Sequence, residues 1–180
     1  MKKKINIKWL IQIVLISFVV SVVFTFASSE ILASAGYVTA FVVLAVFIAI
    51  GIIFDIIGVA VTTATPAPFH SMASHKERGA AEALRLMKNA EKVSSICNDV
   101  VGDISGIVSG STSAIIVANL MKDFSTQNVL IQLAVSGAVA ALTIGGKALG
   151  KTFAMNSNTT IVLYVGKLMS LTTRIFNKKR

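Results

Sequence analysis

Asn98, Asp99, Asp103 and Ser105 stand near the start of an apolar stretch, 97–119, that is otherwise rich in glycine, serine, isoleucine and valine. A carboxylate in hydrocarbon costs roughly 2.5–3.5 kcal/mol even on lenient insertion scales, so two acids within one turn call for a role. Their i, i+4 spacing predicts that Asp99 and Asp103 share one helix face. A third acid, Asp55, lies toward the later end of the strongest apolar run, 37–63. The plain alternative for Asp55 is snorkelling to the interface, which its short side chain does poorly. Carboxylate, amide and hydroxyl oxygens are what hard divalent cations take as ligands, commonly with some water retained. Three uncompensated aspartates would not stay ionised in a dry core. A cation, a shared proton or penetrating water must answer them. Asp55, Asn98, Asp99, Asp103 and Ser105 are therefore the candidate metal ligands, with proton coupling or acids lining a wet helix end as the competing readings.

These residues need helices in a membrane to position them. The 180-residue chain is 54% apolar and only 14% charged, with a mean hydropathy of +0.79. Soluble domains average about 25% charged residues, so the composition indicates a membrane protein. Residues 9–27 form an uncharged run long enough to cross a bilayer as a helix. The competing reading of that run is a secretory signal peptide cleaved after Ser29, but the run is longer than a usual signal core and favours a retained helix. Further spans are expected over 37–63, 97–119 and 129–145. Gly102, Gly106 and Gly110 repeat every four residues, which predicts a smooth stripe for close helix packing within the third span. That span reads as the innermost helix.

Between the second and third spans, 65–93 is amphipathic. Phe69, Met72, Ala73, Ala80, Ala83, Leu84, Met87 and Ala90 form its apolar side, and Gly79 is placed to divide it into two surface helices. Pro66 and Pro68 suit a first helical turn. After the fourth span, 157–177 reads as another surface helix, with Leu168, Leu171 and Ile175 on one side and Lys167 and Arg174 on another. With the N-terminus cytoplasmic, every Lys and Arg except Lys122 falls in a cytoplasmic segment. That bias predicts four spans with both termini inside. It also accounts for the net charge of +9 through anionic lipid, with no need for nucleic acid.

The remaining motifs carry little chemistry. Gly145 to Thr152 matches the phosphate-loop pattern G-x-x-x-x-G-K-[ST], but that loop works between a strand and a helix, and no strand is expected here. No bound nucleotide is therefore expected. His70 and His75 are five apart, off the i, i+4 spacing that aims two histidines at one metal. Asn158-Thr159-Thr160 fits the glycosylation pattern on a segment expected to be cytoplasmic. Cys97 is alone, so no intrachain disulfide can form. No catalytic set appears, and no enzyme is expected.

The order of parts resembles the transmembrane domain of the CNNM/CorB/CorC magnesium transporter family. The resemblance is carried by an apolar span, a basic amphipathic segment ending in Lys88-Asn89-Ala90-Glu91-Lys92, and a span opening with Asn98-Asp99. A last span then runs into Gly146-Lys147-Ala148-Leu149-Gly150-Lys151. It covers about 37–176. Thr143, Ile144 and Gly145 stand where the family has an acid before its exit, and Gly146 replaces the exit proline. The resemblance implies a dimeric divalent-cation transporter holding Mg²⁺, or Co²⁺, by oxygen ligands. The family's first-helix serine falls near Asp55, and its Asn motif falls near Asn98-Asp99 and Gly102-Asp103. The expected fold is thus an all-α integral membrane protein of four transmembrane helices with amphipathic juxtamembrane helices. Residues 1–36 form an extra span and external turn, and 37–180 the family-like domain. The expected setting is the plasma membrane, as a homodimer through glycine-rich faces. The alternative is a non-transporting membrane scaffold or partner subunit without a soluble regulatory domain.

Overall fold

The computed structural model describes residues 7–33, 36–123 and 129–177. These are helical apart from short turns, with no strand among the described residues. In order the helices are α1 (Ile7–Ala33), α2 (Tyr37–Thr63), α3 (Pro66–Ser74), α4 (Ala80–Lys88) and α5 (Ala90–Ser94). A π-helical segment (Ser95–Gly102) then leads into α6 (Asp103–Asp123), followed by α7 (Val129–Asn156) and α8 (Asn158–Asn177). Four helical stretches are long and apolar enough to cross a membrane: Ile7–Leu32, Tyr37–Thr63, Ala90–Asp123 and Val129–Asn156. The protein is a polytopic helical membrane protein. Its third span begins earlier than the apolar run suggested, because α5 and the π segment continue into α6. Its fourth runs eleven residues past Gly145, because Gly146, Lys147, Gly150 and Lys151 are carried on helix.

The chain divides into two units. The first comprises Met1–Ile52 and Asp99–Gly146, that is, α1, the first part of α2, α6 and most of α7. Val100, Ile104 and Val108 are buried there against Ile13, Val20 and Phe24 of α1 and Phe47 of α2. The Phe24 and Phe47 rings meet edge to face at 5.7 Å. A second cluster joins Leu32, Ala40, Leu44 and Ile116. Tyr37 Oη donates a hydrogen bond to the Asp123 carboxylate, tying the start of α2 to the end of α6. Among the four apolar helical stretches the third is the most buried. Its glycine stripe is not one face, however. Gly102 is buried, Gly106 half-buried and Gly110 exposed. Four residues advance a helix by roughly 40° more than a full turn, so a four-residue repeat drifts around the axis.

The second unit, Ile53–Asn98 with Lys147–Arg180, gathers the end of α2, the short helices α3 to α5, the end of α7, and α8. Its core is Ala60, Val61, Phe69, Ala83, Leu86, Ala154 and Val162. Leu86 belongs to this core although the predicted apolar side passed over it. Pro66 starts α3, where its missing N–H costs nothing, and Thr65 before it is extended. Gly79 lies in the left-handed region at φ 84° and begins α4. A β-carbon added there would sit 2.5 Å from the Lys167 backbone nitrogen, so α4 and α8 meet backbone to backbone. Gly166 on α8 is equally constrained by the Gly79 carbonyl. On the outside of this crossing, Lys167 Nζ stands 3.5 Å from Glu77.

Candidate functional site

In the second unit, Asp55 is carried by α2 and is only 4% exposed. Its Oδ2 receives no hydrogen bond from the described residues. Lys151 Nζ on α7 stands 3.8 Å from that oxygen, near enough to pair electrostatically and too far for a hydrogen bond. The lysine side chain is half-exposed, so the ammonium reaches in from the edge. One turn along α2, Gly58 leaves the room that Asn98 fills: a β-carbon at Gly58 would overlap the Asn98 amide. Asn98 Nδ2 donates to Ser94 Oγ at 3.2 Å, and Asn98 Oδ1 is buried without a donor. The unit thus presents two buried acceptor oxygens, from Asp55 and Asn98, with the Lys151 ammonium standing near the first. Such under-satisfied oxygens are uncommon in folded proteins and suit a cation or a water.

Lys151 and Gly58 were not among the sequence-derived candidates. Lys151 was legible only as a basic residue after the fourth span, and its approach to Asp55 follows from α7 continuing as helix to Asn156.

The other three candidates belong to the first unit. Asp99 and Asp103 are both exposed. Asp99 lies in the π segment and Asp103 opens α6. Ser105 is fully buried with its hydroxyl unbonded, as are Thr112 and Ser113 farther along α6. Ser109 and Ser113 of α6 and Ser136 and Thr143 of α7 border a cavity of about 190 Å³. The Ser109 hydroxyl donates to the Gly106 carbonyl and the Thr143 hydroxyl to the Val139 carbonyl, which satisfies both within their own helices. Among the described residues no three of His, Cys, Asp and Glu come together as a metal-holding group. Any cation site must therefore draw on amide, hydroxyl or water oxygens alongside a carboxylate.

The remaining motifs are placed by the same helices. Gly145 to Thr152, which fits the phosphate-loop pattern, lies wholly inside α7 and turns no loop. His70 and His75 are exposed. Asn158 joins helix ends: its Nδ2 donates to the Met155 carbonyl at 3.0 Å and the Thr63 carbonyl at 3.3 Å. Those carbonyls end α7 and α2, where orphan acceptors need donors.

No known protein family, curated protein or solved structure matches this chain.

Proposed function

We propose that this membrane protein binds a divalent cation such as Mg²⁺ and carries it across the bilayer, with Asp55 as the principal charged ligand. The observation behind this reading is the pair of buried oxygens, Asp55 Oδ2 and Asn98 Oδ1, that no donor satisfies. It accords with the resemblance to the CNNM/CorB/CorC transmembrane domain, whose first-helix and Asn-motif positions fall near these residues. Lys151 stands in as the counter-charge when no ion is present, and an arriving cation displaces its half-exposed ammonium toward water. Asn98 of the same unit supplies a second, neutral oxygen. In this reading both termini are cytoplasmic and the site lies toward that side of a plasma membrane, an orientation supported by the lysine and arginine bias. The protein is proposed to pair as a homodimer through its glycine-bearing helix faces.

Mg²⁺ titration of the detergent-purified chain tests the reading. Wild type should bind, and Asp55→Asn should bind at least about tenfold more weakly, since a charged ligand to a hard cation is lost. Absence of binding by both proteins removes the proposal. The second reading, a scaffold or partner subunit that transports nothing, is favoured by one observation: the chain itself brings a counter-charge, Lys151, to within 3.8 Å of Asp55. That reading expects Asp55→Asn to leave function intact and the helix packing to be the sensitive part.

A further inference from the structure

Where α2 ends, the second unit encloses a groove of about 420 Å³. Val61 from α2 and Leu84 and Met87 from α4 give it apolar walls. His70 on α3 and Lys88 at the end of α4 also line it, and both are exposed. Thr63 ends a 27-residue helix long and apolar enough to cross a membrane, so a bilayer boundary is expected near the groove. The sequence segments of this unit hold twelve Lys and Arg against four Asp and Glu. Arg85, one turn before Lys88, is also exposed, which extends the positive edge along α4.

We propose that this groove seats a single anionic phospholipid. An acyl chain lies along Val61, Leu84 and Met87, while the phosphate meets the Lys88 ammonium and a His70 ring N–H. Charge and shape both select this occupant. A zwitterionic headgroup would bring its own cation against Lys88 and Arg85. A soluble anion would satisfy the edge and leave the apolar walls uncovered. A lipid with net negative charge satisfies both, in the manner of basic pockets at helix ends that hold lipid headgroups. The site is separate from Asp55 and holds whether or not the chain carries a cation.

The test is native mass spectrometry of the delipidated, full-length protein in detergent, titrated with phosphatidylglycerol or with phosphatidylcholine of the same chains. Phosphatidylglycerol should bind as one retained molecule, at least about fivefold tighter than phosphatidylcholine. Lys88→Gln should weaken it by about fivefold, the effect of one basic residue at an anionic surface, and Lys88→Arg should restore it. Lys76→Gln, a cation of the same unit outside the groove, should change it little. Equal binding of the two lipids overturns the proposal. So does an equal loss in Lys76→Gln and Lys88→Gln, which would mean a diffuse charged surface. Glycerophosphoglycerol and inorganic phosphate supply the last arms. Neither should displace the lipid, and displacement by either would make the groove a soluble-anion site.

Discussion

Lys151 Nζ stands 3.8 Å from Asp55 Oδ2, with the carboxylate buried and half of the lysine side chain in the open. A pair so unequal in exposure favours exchange of the mobile partner. Lys151→Met should therefore raise Mg²⁺ affinity by about tenfold, because the ion no longer competes with a tethered charge. The same change should lower ion-free stability by about 1–2 kcal/mol, well below the cost of breaking a fully buried pair because the lysine is solvated. Calorimetric titration and thermal melts with and without Mg²⁺ read both effects. If Lys151→Met binds no tighter while Asp55→Asn still abolishes binding, the ion site stands and the competition does not.

Gly58→Ala probes Asn98 without touching it chemically. The new β-carbon overlaps the amide, the movable end of a side chain, so the protein should fold with a loss of about 1 kcal/mol. Mg²⁺ affinity should fall as far as it does in Asn98→Ala. Unchanged affinity in both variants would remove Asn98 from the ligand set.

At the crossing of α4 and α8, Gly166→Ala drives a methyl into the Gly79 carbonyl and should cost about 1–3 kcal/mol. Gly79→Ala adds a left-handed backbone penalty to a similar clash. Gly137→Ala, on the open side of α7, should instead stabilise by up to about 1 kcal/mol through helix propensity. Thermal unfolding in one detergent compares the three. A Gly166→Ala protein as stable as wild type would refute the close crossing.

Phe69 is fully buried in the core of the second unit. Phe69→Ala should cost about 3–5 kcal/mol, and Phe69→Leu distinctly less. Trypsin cleavage at the exposed Lys76 and Arg78 should accelerate in the alanine variant, and equal cleavage rates would count against this core.

Period and composition carried much of this architecture. The four long apolar helices were legible because uninterrupted apolar runs have few other fates, and the burial of α6 because its serines and glycines suit protein rather than lipid. Helix ends were less legible. Gly146 and Gly150 read as an exit from the membrane, yet α7 continues through them, since glycine weakens a helix by only about 1 kcal/mol. The π segment was invisible to a count that assumes one rotation per residue, so the change of helix type just before Asp103 was not foreseen. Lys151 beside Asp55 could not be read at all, because residues 96 apart in sequence meet only through the paths of α2 and α7.

The crossing at Gly79 and Gly166 also restricts how this sequence can drift. Around Phe69, one apolar residue can shrink while a neighbour grows, and the pair may be exchanged for another of equal volume. Two residues that lack side chains have nothing left to trade. Every replacement at either position adds atoms, and no partner can give any up. Distant relatives of this chain should therefore vary freely along the lipid-facing helices while retaining this pair of glycines together.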